Sequence, residues 1–558
     1  MDTAPKYKQP ESIPLEDRQW PSRTITTSPT WCSVDLRDGN QALPVPMSPE
    51  KKLKYFKMLV DIGFKEIEIG FPSASQDDYD FVRQLIDEDL IPDDVRISVL
   101  VQMREHLITK TVESIKGAKS AMIHGYVAAS DLHRTMVFSM TRQEVKQMAV
   151  DGTQMIKDHV AAAGMTDIVA YEFSPEEFTD CDLDFVIDMA KAVKETWGPS
   201  KKEDFVINLP ATVERRPPNQ YADMIEYFCK EYPYLAETSV SLHAHNDQGC
   251  ATAASELALL AGANRVEGTI FGHGERTGNL DLAIIGLNLY SRGIETGLDF
   301  SNMDEIVDTV VHASGIPVHP RHPYAGSLVF TAFSGSHQDA IRKGIDQRDK
   351  AAAEFGVGWK VPYLHIDPAD LGRKYEKLIR INSQSGKGGI VFVLEQDFGI
   401  YPPKKMHPEI GKAIQSLADK SGTELSSDQV EAAFRDSFLN VTGDFVYTSS
   451  KRFPEEGDAE TVSVSVNLNY KGSELEVKGE GNGPISAAVH SLRKVEGIGD
   501  FTLVDFAEQT MGESEDAKAM AFVGIRRESD NKLIYGAGEH ENIDKAAVKA
   551  LFVALNKL

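Results

Sequence analysis

The chain has 558 residues, too many for one ordinary domain and enough for a large core with accessory domains. Its 59 Lys and Arg stand against 85 Asp and Glu, a formal net charge of -26, which argues against a nucleic-acid partner because that would call for a basic face. No apolar run reaches membrane-spanning length, and the cysteines (Cys32, Cys181, Cys229, Cys250) show no paired metal spacing and fit a reducing compartment.

Residues 1–29 read as a Pro-rich N-terminal segment of mixed charge, without an apolar signal core. The cytosol is therefore the expected setting, with the mitochondrial matrix as the alternative. From residue 30 to about 325, β-rich apolar runs alternate with helical patterns: "WCSVDL", "EIEIGF", "ISVLV", "AMIHGYV", "DIVAYEF", "FVINLP", "SVSLHAH" and "RVEGTIF". The stretch "SPEKKLKYFKMLVDIG" predicts a helix with Ser48 as N-cap, Pro49 in the first turn and Gly63 at the stop. Eight such strands alternating with helices predict a (β/α)8 TIM barrel, with a doubly wound open sheet as the alternative.

Polar residues cluster at the strand ends. Arg37, Asp38, Gly39, Asn40 and Gln41 follow strand one, and Glu66 and Glu68 lie in strand two. His124 lies in strand four, and Glu172, Ser174 and Glu176 in or after strand five. Thr212 and Glu214 follow strand six. Strand seven carries His243 and His245, which share one face of an extended chain. A His-x-His pair is more often ordinary structure than a metal site, but a barrel rim with a carboxylate arriving from strand one favours the metal. Asp38 is the best carboxylate, since strands one and eight are neighbours in a closed barrel, and Asn279 could add a neutral oxygen. Such a set accepts Zn, Mn or Mg. Arg37 reads either as a neutralising partner of Asp38 or as a fixed donor to a developing oxyanion. Glu176, after Pro175, reads equally as a helix-start carboxylate. Neither "GHGERTGN" nor "SGKGG" has the spacing of a nucleotide-binding loop.

Residues 326–440 read as linker subdomains of short elements and then helix. Residues 441–558 hold two related strand, Gly-x-Gly, helix units, "ELEVKGEGNGPISAAVHSLRK" and "KLIYGAGEHENIDKAAVKALFVAL", which predict a small α+β domain.

The motifs "LRDGNQA", "GFKEIEIGFPSAS", "INLPATVE", "HAHNDQG", "GERTGNLDL", "AFSGSHQDAI" and "RINSQSGKGG" together resemble the 2-isopropylmalate synthase family of acyl-CoA-condensing barrels. The resemblance implies that Asp38, His243 and His245 bind a divalent metal, with Asn279 beside it, and that Arg37 steadies an oxyanion. It implies that His124, Ser174 and Thr212 line a 2-oxoacid pocket, with Leu100 on its apolar side. Glu176, His337 and Tyr363 match positions implicated in catalysis, the last two in a linker region exchanged across a homodimer in relatives. Gly481, Asn482 and Gly483 fall in a domain similar to a leucine-sensing regulatory domain. The implied reaction condenses acetyl-CoA with 3-methyl-2-oxobutanoate, and homocitrate or citramalate synthesis, or use of a longer 2-oxoacid, is the runner-up. Ala244, Gln248 and His273 depart from the usual pattern, as does Gly125 beside His124. The missing side chain at Gly125 is expected to widen the acceptor pocket. The stretch "EQTMGESEDAKA" also departs, which bears on leucine inhibition. A hydrolase with His-x-His would place the pair on strand one, and a leucine-binding regulator with an inactive barrel would not need to keep Arg37, Asp38, both histidines and Asn279.

Overall fold

The computed structural model describes residues 6–332, 334–375, 387–421, 425–453, 461–498, 500–511 and 517–558. They form two compact units, Met1–Val329 with Ile366–Lys374, and Phe330–His365 with Tyr375–Leu558. The stretch 326–440, expected as linker subdomains, contributes to both.

The first unit is a closed parallel barrel with strands in sequence order. These are β1 (Thr30–Ser33), β2 (Glu66–Gly70), β3 (Arg96–Gln102), β4 (Ala121–Ala128), β5 (Val169–Glu176), β6 (Phe205–Ala211), β7 (Ser239–Ala244) and β8 (Arg265–Gly268). Thr30–Ser33 of β1 pairs with Arg265–Gly268 of β8, and that closure excludes the open sheet. The strands are buried on both faces, as a parallel sheet wrapped in helices requires. The helix Pro49–Ile62 starts where Ser48 accepts the Lys51 N–H and stops at Gly63, whose φ of 111° a side chain would resist. Its inner face buries Tyr55, Phe56, Leu59 and Ile62.

The lumen holds a charged hub where many barrels hold aliphatic layers. Arg265, 1% exposed, donates to Glu66 Oε2 at 2.7 Å, Glu172 Oε1 at 3.0 Å, Ser241 Oγ at 2.8 Å and Glu267 Oε1 at 2.8 Å. One guanidinium thus ties β2, β5, β7 and β8 together.

The second unit contains helices Gly335–Asp346, Arg348–Phe355, Lys387–Phe398, His407–Ser421 and Ser427–Phe438, then two antiparallel sheets. Strands β9 (Phe445–Phe453), β10 (Val462–Tyr470) and β11 (Ser473–Gly481) precede helix Pro484–Leu492. Strands β12 (Phe501–Met511), β13 (Lys518–Arg527) and β14 (Leu533–His540) precede helix Ile543–Leu555. The internal repeat in the sequence is the trace of these matched halves. Strand β13 shows why the sheet needs cover on both faces. Ala519, Ala521, Val523 and Ile525 join one core with the two C-terminal helices, while Met520 and Phe522 join another with the helices around 390–438.

Gly481 and Gly538, one from each Gly-x-Gly turn, serve packing. A Cβ on Gly481 would lie 2.6 Å from Ala487 N, and one on Gly538 2.2 Å from Ala546 O, so each glycine lets its own helix press on the strand. Gly483 has nothing within 4 Å, and Asn482 is exposed. Most of "RINSQSGKGG" and residues 512–516 of "EQTMGESEDAKA" lie outside the described residues. No described helix is long and apolar enough to cross a membrane.

Candidate active site

The C-terminal ends of the barrel strands surround a cavity of about 680 Å³. Arg37, Asp38, Leu100, His124, Ser174, Glu176, Thr212, His243 and His245 all line it. The first of these arrive through one π-helical turn, Asp35–Gly39, directly after β1. Asp35 pins that turn by accepting from Ser33 Oγ and Tyr55 OH at 2.7 Å and from Ile270 N at 3.0 Å.

Asp38, His243 and His245 offer ligand atoms all within 4.8 Å of one another. The two Nε2 atoms are 3.2 Å apart, and Asp38 Oδ2 lies 3.8 Å from one and 3.6 Å from the other. His243 Nδ1 stands 2.8 Å from Glu267 Oε2. A carboxylate only accepts, so Nδ1 carries a proton and Nε2 is the ring atom turned toward Asp38. Burial, reinforced by His243, lowers the His245 pKa to about 4 and keeps that ring neutral. Burial alone would raise the Asp38 carboxyl. Arg37 and the two histidines outweigh it and hold the group well below the usual carboxylate range. Asn279 donates to Asp38 Oδ2 at 2.8 Å, while its Oδ1 is buried with no hydrogen-bond partner. Two imidazoles, a carboxylate and an orphaned amide oxygen are a donor set that fits a divalent cation with coordination positions to spare. A second group of potential ligands, His124, Glu172 and Glu267, is already served by Arg265, which bonds both glutamates.

Arg37 reaches Asp38 Oδ1 through Nη1 at 2.7 Å and Glu68 Oε1 through Nε. Burial would raise the Glu68 carboxyl, but Arg37 and His124 outweigh that and keep it ionised. Its other oxygen lies 2.7 Å from His124 Nδ1, and His124 Nε2 lies 2.7 Å from Ser174 Oγ. Asn208 Nδ2 then donates to Ser174 Oγ at 3.0 Å and to Glu267 Oε2 at 3.1 Å, which returns the chain to His243. The turn after β1 and every strand except β1 and β3 contribute to this girdle. Leu100 of β3 sits in register beside His124. Thr212 Oγ1 accepts from Glu177 N at 2.9 Å, which leaves its hydroxyl hydrogen available.

The family model described as HMGL-like matches residues 28–310. One described as alpha-isopropylmalate synthase, post-catalytic domain-like, matches 327–395, and one described as LeuA allosteric (dimerisation) domain matches 424–558. The chain is 47% identical to a 2-isopropylmalate synthase of Clostridium acetobutylicum, over 99% of each chain. It is 44% identical to one of Rhodospirillum rubrum over 100% of this chain and 99% of that one. It is 47% identical to one of Thermobifida fusca over 99% and 97%. The chain belongs to the 2-isopropylmalate synthase family.

Within that family frame, two expected residues lie elsewhere than the barrel. His337 and Tyr363 are in the second unit, exposed, with their rings stacked at 4.0 Å. Gly125 is a correction. A Cβ there would lie 2.5 Å from Met103 Cε and 3.0 Å from Tyr171 OH, under the helices rather than in the cavity. β4 continues to Ala128, so alternation still turns residue 125 away from the face that carries His124. Glu68 was named among the strand-end polar residues without a role, and Asn208 and Glu267 were not singled out; all three belong to the site. Their signal was a polar side chain inside a fully buried strand. The sequence reading also passed over Arg276, which bonds Asp247 Oδ1 and the Thr212 carbonyl, both at 2.7 Å, and His245 Nδ1 at 2.9 Å.

Proposed function

We propose that the chain condenses acetyl-CoA with 3-methyl-2-oxobutanoate and hydrolyses the thioester, giving 2-isopropylmalate and CoA in leucine biosynthesis. The observation that carries this is the convergence of Asp38, His243, His245 and Arg37 on one cavity, in a chain 44% to 47% identical to 2-isopropylmalate synthases along its length. A divalent ion held by Asp38, His243 and His245, with Asn279 beside them, supplies Lewis-acid polarisation of the acceptor's keto group. Arg37, its plane fixed by Glu68 and Asp38, presents a donor where negative charge develops on that oxygen. Ser174, His124 and Thr212 receive the acceptor's carboxylate, and Leu100 its alkyl group. Glu176 removes a proton from the methyl of acetyl-CoA. Its place in the cavity and the upward push of burial on its carboxyl support that role. His337 is the rival base, and it and Tyr363 are assigned to catalysis on the family resemblance. The match to an allosteric and dimerisation domain supports a homodimer with leucine as effector, acting through the region of Gly481, Asn482 and Gly483. The bacterial sources of the relatives support a cytoplasmic setting over the mitochondrial one.

The test is release of CoA thiol from acetyl-CoA across branched, linear and dicarboxylic 2-oxoacids, with and without Mg, Mn or Zn. 3-Methyl-2-oxobutanoate should give the highest kcat/KM, and His243→Ala should lose most activity and retain less metal. A preference for 2-oxoglutarate or pyruvate would instead identify homocitrate or citramalate synthesis. Full turnover after rigorous chelation would remove the metal assignment.

A further inference from the structure

A condensation of this kind develops negative charge on two oxygens in turn. Removing a proton from the methyl of a thioester puts charge on the thioester oxygen, and forming the carbon–carbon bond then puts it on the acceptor's keto oxygen. Each oxygen needs a donor fixed in advance. Arg37 and the metal residues face the second. The first calls for a donor beside the base.

Tyr126 lies on β4 two residues toward the rim from His124, on the same face of the strand. It stands in register with Gln102 of β3 and Ser174 of β5, and Ala128 stands in register with Glu176. Tyr126 and Glu176 are therefore diagonal neighbours on adjacent strands, and both line the cavity. Two contacts fix the phenol. Gln102 Nε2 donates to its oxygen at 2.8 Å, and Phe71 meets its ring edge-on with the centroids 6.5 Å apart. The amide thus fills an acceptor position on the oxygen, and among the described residues no group takes the hydroxyl hydrogen. Burial, against a smaller opposing pull from Gln102 and with help from the Glu176 carboxylate, pushes the phenol above its ordinary range, so the hydrogen stays in place.

We propose, resting on the condensation and the base assigned above, that Tyr126 is a further catalytic residue whose hydroxyl donates to the thioester oxygen of acetyl-CoA as the enolate forms. Glu176 takes the methyl proton. The C–H electron pair becomes the carbon–carbon double bond, and the carbonyl π pair moves onto oxygen, where the Tyr126 O–H meets it. Tyr126 shares its hydrogen and keeps it. The enolate carbon then bonds the acceptor's keto carbon, the thioester carbonyl re-forms, and the hydrogen bond to Tyr126 weakens again. Methyl carbon and carbonyl oxygen are only two bonds apart in an acetyl group. Its base and its donor must therefore come from neighbouring positions, as Glu176 and Tyr126 do.

Kinetics of the metal-loaded, full-length enzyme test this. Tyr126→Phe keeps the ring and removes the donor, so kcat for CoA release with 3-methyl-2-oxobutanoate should fall about 10²–10³-fold. Proton abstraction then limits the rate, and methyl-trideuterated acetyl-CoA should show a primary isotope effect in the variant. Calorimetric titration with 3-methyl-2-oxobutanoate alone should give an unchanged Kd. Gln102→Glu leaves the tyrosine in place but should also slow turnover, because a carboxylate only accepts and draws the hydroxyl hydrogen to itself. A wild-type rate in either variant, a slowed Tyr126→Phe without an isotope effect, or acceptor binding weakened in step with the lost rate would overturn the proposal and leave the reaction standing. No CoA release by the wild type from any 2-oxoacid would overturn the reaction itself.

Discussion

Burial pushes the Glu176 carboxyl above the ordinary glutamate range, and a general base must be ionised to work. Activity is therefore present above the raised pKa and lost as pH falls through it. The acid limb of the kcat/KM profile should lie above the ordinary value of about 4.3. Glu176→Gln should lower kcat by about 10²–10⁴ and remove that limb from the residual rate. An unmoved limb would pass the role to His337. At this scale the metal residues were legible because ligand chemistry and two-residue spacing stand in the sequence itself. Gly125 was not, because the end of β4 is not marked there. The strand runs on, and the glycine belongs to the packing of Met103. Gly125→Thr should cost about 1–3 kcal/mol by overpacking and leave the ratio of kcat/KM for short and long acceptors unchanged. Denaturant unfolding and a two-substrate assay check both halves.

The eight strands were readable as elements because each is an apolar β-rich run between helical patterns. The π-helical turn after β1 left no such mark. It depends on Asp35 meeting Tyr55 and Ile270, residues distant in sequence. The Arg265 hub was hidden for the same reason, since "RVEG" says nothing of Glu66 or Glu172. Arg265→Met should destabilise the barrel by about 3–5 kcal/mol, because it leaves buried carboxylates unpaired. A shift in the barrel's unfolding midpoint measures it, and a small effect would mean that those acids are protonated. In the C-terminal domain, Gly481→Val should disrupt helix Pro484–Leu492, whereas Gly483→Val has room and should keep the fold. Circular dichroism separates the two, and only the second is a clean probe of leucine inhibition.

At the scale of the molecule, the barrel and the repeated C-terminal domain were legible as changes in periodicity along the chain. The division into units was not, because Ile366–Lys374 returns to the first unit after an excursion through the second. Arg373 shows what draws it back, by donating to the carbonyls of Tyr324, Ala325 and Gly326 and to Asp304. No local pattern announces such a return. The Arg265 hub also sets an order of events during synthesis. The glutamates of β2 and β5 leave the ribosome long before the arginine of β8 that neutralises them. A nascent chain carrying only β1–β7 would have to bury Glu172 without the guanidinium that bonds it, and Glu66 with only Arg96 beside it at 3.7 Å, so the sheet cannot mature strand by strand. Ribosome-stalled chains ending before residue 265 should be cut by protease throughout the barrel, and chains that expose β8 should become resistant in a single step.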